Sequence, residues 1–149
     1  MQDDKQQICV ICVANYCRSP VAERLLRNKL GDKYLILSAG LSPMVVADMD
    51  ERSKKFLKEL SLPHDNHLPQ KITEKIMKES NMVFAMDLLV LGELNRVFAK
   101  YKEKIKLLNY QLPKENLYDP FKFNDDDYNQ AMNKIKRVVD NIDINNWMN

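Results

Sequence analysis

The chain has 149 residues, 45% of them apolar and 30% charged, with 23 basic side chains against 21 acidic ones and three glycines. That size fits a single domain over 1–149 with a sizeable core, the near-balanced charge excludes the basic footprint of a nucleic-acid binder, and three glycines leave little for a glycine-rich nucleotide loop. No apolar run approaches the roughly 20 residues of a spanning helix, and the polar stretch Met1-Gln2-Asp3-Asp4-Lys5-Gln6-Gln7 is unlike a signal peptide, so a cytoplasmic chain without membrane insertion is expected.

Ile8-Cys9-Val10-Ile11-Cys12 is a β-branched apolar run and predicts a strand. Ser19-Pro20 then opens a helical pattern carrying Val21, Ala22, Leu25, Leu26 and Leu30, which Gly31 ends. Tyr34-Leu35-Ile36-Leu37 reads as a second strand running into Ser38-Ala39-Gly40, which makes a parallel βαβ unit. Leu41 to Ala47 is a loop, Met49 to Leu60 a helix, and Pro63 to Pro69 another loop. Thr73 is the expected N-cap of a short helix through Glu79. Asn81 to Met86 is a third strand closing at Asp87, Leu88 to Lys100 a helix in spite of Gly92, and Ile105 to Leu108 a short fourth strand. Asn109 to Asn124 is a long connection with two prolines, and loops of that length in compact domains are usually functional. Asp125 or Asp126 starts a last helix through Ala131, Met132, Ile135, Val138 and Val139. Strands alternating with helices argue for an α/β domain with a central parallel sheet and right-handed crossovers. Ligands bind such sheets at the carboxyl ends of strands, where Cys12, Ser38, Asp87 and the loop carrying Asp119 lie.

The turn between the first strand and helix aims backbone N–H groups and the positive end of the helix dipole at one spot, which makes an anion trap. Cys12 begins it and Arg18 ends it. A thiol in that field loses its proton readily, and a guanidinium there grips two oxygens of a phosphate. The five intervening residues, Val13-Ala14-Asn15-Tyr16-Cys17, suffice to wrap one phosphate. Phosphoryl transfer to cysteine requires an in-line thiolate, donors for three equatorial oxygens and an acid for the leaving oxygen. Ser19 is placed to donate to the thiolate, and Asn15 tolerates a left-handed backbone. Asp119, stiffened by Pro120, is the strongest candidate acid. Cys9, inside the strand, is core; Cys17 is either packing or a disulfide partner for Cys12 under oxidation. Three cysteines crowded into one segment form no spaced disulfide framework, so reduced thiols are expected. His64 and His67 read as loop surface and make a poor metal site.

Cys12-Val13-Ala14-Asn15-Tyr16-Cys17-Arg18-Ser19-Pro20, with Ala22-Glu23, resembles the signature of the low-molecular-weight protein tyrosine phosphatases. Ser38-Ala39-Gly40, Ala85-Met86-Asp87 and Asp119-Pro120-Phe121 resemble that family's later landmarks, in the same order. The resemblance implies a flavodoxin-like, three-layer α/β/α fold whose four-stranded parallel sheet has the order 2-1-3-4 with helices on both faces. It also implies no metal, no cofactor and a two-step reaction through a cysteinyl-phosphate. Cys12 matches the nucleophile, Arg18 the phosphate clamp, and Asp119 the general acid that later deprotonates water. Asn15, Ser19, Ser38 and His67 match a supporting hydrogen-bond network. Phe121 matches an aromatic wall for the phenyl ring, with Tyr16 on the rim and Leu41 or Met44 on the opposite wall.

The expected partner is a phosphotyrosine-containing protein, and a looser similarity to bacterial members points to a tyrosine kinase of capsule and exopolysaccharide synthesis. The expected state is a monomer or weak dimer. Three departures stand out. Ala14 replaces a common loop glycine, which puts phosphate affinity in question. Tyr16 stands where tyrosine phosphatases have an aliphatic residue and arginine phosphatases a threonine, and Lys122 stands where many relatives have an aromatic residue or glycine. A catalytically weak phosphotyrosine-binding module and a protein arginine phosphatase are the alternatives. Arsenate reduction by cysteine relay lacks its material, because no cysteine follows Cys17.

Overall fold

A computed structural model describes residues 5–146. Four strands, β1 (Gln6–Cys12), β2 (Tyr34–Gly40), β3 (Met82–Ala85) and β4 (Ile105–Leu107), form one parallel sheet in the order β2-β1-β3-β4. Five helices connect and cover them: α1 (Arg18–Leu30), α2 (Glu51–Glu59), α3 (Glu74–Glu79), α4 (Leu88–Val97) and α5 (Asp125–Asp140). This is the flavodoxin-like arrangement expected from the sequence.

Alternation along β1 builds the three layers. Ile8, Val10 and Cys12 face one core with α1, α2 and α5, while Cys9 and Ile11 face a second core with α3 and α4. β3 repeats the pattern, with Met82 and Phe84 in the first core and Val83 and Ala85 in the second. Both faces of the central strands are therefore dry, which is why they read as continuous apolar runs.

Several boundaries differ from expectation, each for a local reason. β2 runs three residues beyond Leu37 because Ser38, Ala39 and Gly40 pair in register with Val10, Ile11 and Cys12. The second helix begins at Glu51 and not at Met49: Asp50 is extended and accepts the Arg52 N–H as N-cap, and Met49 is buried. The fourth helix stops at Val97, and Ala99–Lys104 is a 3-10 segment. That tightening turns Phe98 and Tyr101 onto the second core. Thr73 caps α3 as expected, through a bond from the Ile76 N–H.

Candidate active site

The loop 13–17 leaves the carboxyl end of β1 and runs directly into α1. Six consecutive carbonyls, those of residues 12 to 17, are tied away from its centre. Cys12 O accepts from Leu41 N at 3.1 Å, Val13 O from Ser42 N at 2.8 Å, Ala14 O from Met44 N at 2.9 Å and Tyr16 O from Asp50 N at 3.0 Å. Asn15 O lies 2.7 Å from His67 Nε2, and Cys17 O accepts the Ser53 hydroxyl at 2.9 Å. In a trans peptide the N–H points opposite to its own carbonyl, so holding six carbonyls outward turns the following N–H groups inward. The Asn15 N–H, 3.3 Å from the Cys12 sulfur, marks the centre they face. α1 adds an uncapped N-terminus with no acidic residue in its first turn, so its positive end is left for an anion.

Asn15 holds this loop together. It carries the left-handed backbone, φ 51°, and its Nδ2 donates to Ser19 Oγ at 2.8 Å and Ser38 Oγ at 3.0 Å. Its Oδ1 accepts from Gln70 N. Ser38 in turn donates to buried Glu23 at 2.6 Å, and Ser19 Oγ lies 3.0 Å from the Cys12 sulfur. Asn15, Ser19 and Ser38 are essentially excluded from solvent. Buried polar groups stabilise only when every member is satisfied, and this set is bonded at each atom that needs a partner. Ala14 has no positive φ and so needs no glycine's freedom; the positive φ of the loop lies at Asn15. The glycine requirement lies instead at Gly40, where a Cβ would meet Val13 O at 2.6 Å and Asn15 N at 2.9 Å.

Arg18 is 2% exposed. Its Nη1 donates both to Asp87 Oδ2 and to Leu117 O, each at 2.7 Å, and the residue lines the cleft. Asp87 does two jobs from the end of β3: it pairs with Arg18 and caps α4 through the Val90 N–H.

The cleft over Cys12 has a volume of about 100 Å³ and is lined by Cys12, Val13, Ala14, Tyr16, Cys17, Arg18, Met44, Asp119 and Phe121. Tyr16 and Phe121 meet edge to face with centroids 6.2 Å apart. Asp119 accepts the Phe121 N–H through Oδ1. Leu41 is a correction to the expected rim: it is absent from the cleft lining and packs on the second core, while Met44 borders the cleft. His67 is a correction to the loop-surface reading. It is 6% exposed beneath the phosphate loop, and burial holds its imidazole below the ordinary histidine value, against the pull of the Asn15 carbonyl.

Glu23, Gly40, Asp50, Ser53, Gln70 and Leu117 support the site through bonds or close packing that sequence reasoning did not assign. Ser53, polar on the buried face of α2 beside Phe56 and Leu57, left the clearest trace. Among the described residues no cluster of three histidine, cysteine, aspartate or glutamate side chains is arranged to hold a metal ion.

A sequence profile described as "Low molecular weight phosphotyrosine protein phosphatase" matches residues 7–143. The chain belongs to this family. Among its low-molecular-weight phosphatase relatives is the "Probable low molecular weight protein-tyrosine-phosphatase AmsI" of Erwinia amylovora, 28% identical over 142 residues and spanning 95% of this chain and 94% of that one. The crystal structure of the Erwinia amylovora tyrosine phosphatase AmsI superposes with a TM-score of 0.85 over 91% of this chain and 89% of its own, at 26% identity. An arginine phosphatase, YwlE of Geobacillus stearothermophilus, shares the phosphatase fold at 24% identity, with a TM-score of 0.81 over 91% of this chain and 88% of its own.

Proposed function

We propose that this phosphatase hydrolyses phosphotyrosine in proteins, with Cys12 as nucleophile, Arg18 as phosphate clamp and Asp119 as general acid and base. The observation that carries the reading is the convergence of three parts on one cleft: the Cys12 sulfur with the Asn15 N–H directed at it, a buried guanidinium that lines the cleft, and a carboxylate on the facing loop. In the first step the Cys12 sulfur attacks phosphorus, the bond from phosphorus to the phenolic oxygen breaks, and Asp119 gives that oxygen a proton. In the second step water attacks phosphorus, gives its proton to Asp119, and the sulfur–phosphorus bond breaks to release phosphate. Inward amides and Arg18 stabilise the charge on the equatorial oxygens throughout. Tyr16, Met44 and Phe121 form apolar walls suited to an aromatic ring, which favours phosphotyrosine over phosphoarginine.

Within this reading the substrate is a phosphotyrosine protein in the cytoplasm, with a bacterial tyrosine kinase of polysaccharide synthesis as the expected one, and the enzyme works without a metal. The three described cysteines are all free, as a reducing compartment keeps them. Purified protein is expected to hydrolyse p-nitrophenyl phosphate in EDTA, and Cys12→Ser to abolish the activity. Asp119→Ala is expected to slow phenyl phosphate by about 100-fold, in the range of general-acid catalysis. Equal rates for Cys12→Ser and the parent refute the mechanism, phosphoarginine preferred over phosphotyrosine refutes the substrate class, and phosphotyrosine binding without turnover assigns a binding module.

A further inference from the structure

Arg52 stands at the start of α2, outside the cleft lining, yet its side chain joins the two halves of the site. Nε and Nη2 form a bidentate pair with Asp50, at 3.0 Å to Oδ1 and 3.0 Å to Oδ2. Nη2 also donates to Phe121 O, and Nη1 to Phe123 O, both at 2.9 Å. The guanidinium lies 3.9 Å from the centroid of the Tyr128 ring. An ordinary surface arginine makes one screened contact that contributes little. Here one rigid fork uses three nitrogens on two separate chain segments and stacks on a third.

The direction of the coupling follows from the backbone at each end. Asp50 donates its N–H to Tyr16 O and so is fixed to the phosphate loop. Phe121, held by its carbonyl, donates its own N–H to Asp119 Oδ1. Arg52 thereby bridges from the loop that surrounds Cys12 to the turn that presents Asp119. Arg52 adds two hydrogen bonds to a turn otherwise held by buried Pro120, by the Phe123 N–H on Pro120 O and by the edge-to-face contact of Phe121 with Tyr16, while Phe121 and Phe123 are each at least 40% exposed.

We propose that Arg52 is a positioning residue for the general acid, setting the reach of Asp119 over the Cys12 sulfur. This rests on the assignment of Asp119 as the acid. A displacement of about 1 Å in a proton donor costs far more in rate than in binding. The signature is therefore specific to protonation of the leaving group.

The test compares Arg52→Met, which keeps an unbranched apolar side chain without the guanidinium, and Arg52→Lys, which keeps the charge without the fork. Each is assayed for kcat/KM on phenyl phosphate and on 2,4-dinitrophenyl phosphate, and for competitive inhibition by inorganic phosphate. Arg52→Met is expected to lose about 10-fold or more on phenyl phosphate, part of the range of general-acid catalysis, with little loss on the dinitrophenyl ester and unchanged phosphate inhibition. Arg52→Lys is expected to restore only part of the loss, because one ammonium cannot span Asp50 and both carbonyls. In an Asp119→Ala background Arg52→Met is expected to add nothing. Equal losses on both esters, or an undiminished loss in the Asp119→Ala background, overturn the positioning role. Loss of phosphate inhibition also overturns it, since it places the defect in the phosphate loop. An Asp119→Ala protein as fast as the parent on phenyl phosphate rejects the acid assignment and this inference together, whereas Arg52→Met matching the parent while Asp119→Ala is slow rejects this inference alone.

Discussion

Gly40 shows how a residue with no chemistry of its own decides whether the chemistry can occur. It ends β2 where the phosphate loop crosses, and the backbone of residues 13 to 15 occupies the space a methyl group would take. Those atoms are carbonyl, amide and peptide carbon, none able to rotate aside, so an added Cβ must push the loop itself. Gly40→Ala is expected to weaken competitive inhibition by phosphate at least about tenfold and to cost about 1–3 kcal/mol of stability, as overpacking does. Phosphate titration and thermal melting measure the two effects. An alanine at 14 brings no comparable strain, because the positive φ lies at Asn15.

At the scale of elements, the site is held by a segment lying between α2 and α3. His67 approaches Asn15 O from below the loop, and Gln70 engages Asn15 Oδ1 and, through Nε2, Ser38 O. Burial lowers the proton affinity of the His67 imidazole relative to the unfolded chain, so the unfolded chain binds the extra proton first. Its contribution to stability is therefore complete above the ordinary histidine value near 6.5 and is lost as pH falls through the lower folded value. Melting temperatures of the parent and His67→Gln at about pH 7.5 and about pH 5 check this. The parent is expected to lose more on acidification than the glutamine variant, which keeps an amide donor for Asn15 O but does not titrate.

The same elements show what a single sequence makes legible. Cys12, Arg18 and Asp119 could be singled out because each sits at a break in periodicity or in an unusually long connection, and such breaks mark where the chain does something other than pack. A parallel sheet flanked by helices followed from the alternation of strands and helices, and its strand order from the family resemblance of the motifs. What remained hidden is pairwise. The partnership of Asp87 with Arg18 joins positions 69 apart, and that of Asn15 O with His67 joins positions 52 apart. Neither leaves a mark in local composition: a histidine in a polar loop reads as surface, and only the family resemblance put His67 in one network with Asn15. Helix ends were hidden for a different reason. Whether α4 continues past Val97 depends on where Phe98 and Tyr101 find a core, which is a tertiary matter.

For the molecule as a whole, the three cysteines make a test of reactivity. Burial pushes the Cys9 thiol far up, and pushes Cys17 up to about 12, with the Asp50 and Asp119 carboxylates adding to the effect and the Tyr128 hydrogen bond opposing it. Both are therefore neutral thiols at physiological pH and poor nucleophiles. Iodoacetamide at neutral pH is expected to label Cys12 alone in the folded protein, with phosphate protecting it, and to reach Cys9 and Cys17 only on unfolding. Mass spectrometry of the labelled peptides reads this out, and early labelling of Cys17 contradicts it.

The bond from Arg18 to Leu117 O spans 99 positions, and in the loop beyond it the Tyr118 ring meets Lys134 of α5, the helix whose Tyr128 meets Ser53 under Cys17 O. Closing so long a span is entropically modest but demands that the distant segment exist. A nascent chain with only its first hundred residues outside the ribosome carries the whole cysteine loop and all three thiols, with neither the carbonyl that seats the arginine nor the carboxylate that completes the cleft. The reactive end of the molecule is made first and finished last, so the growing chain carries its thiols well before it has the parts to use them.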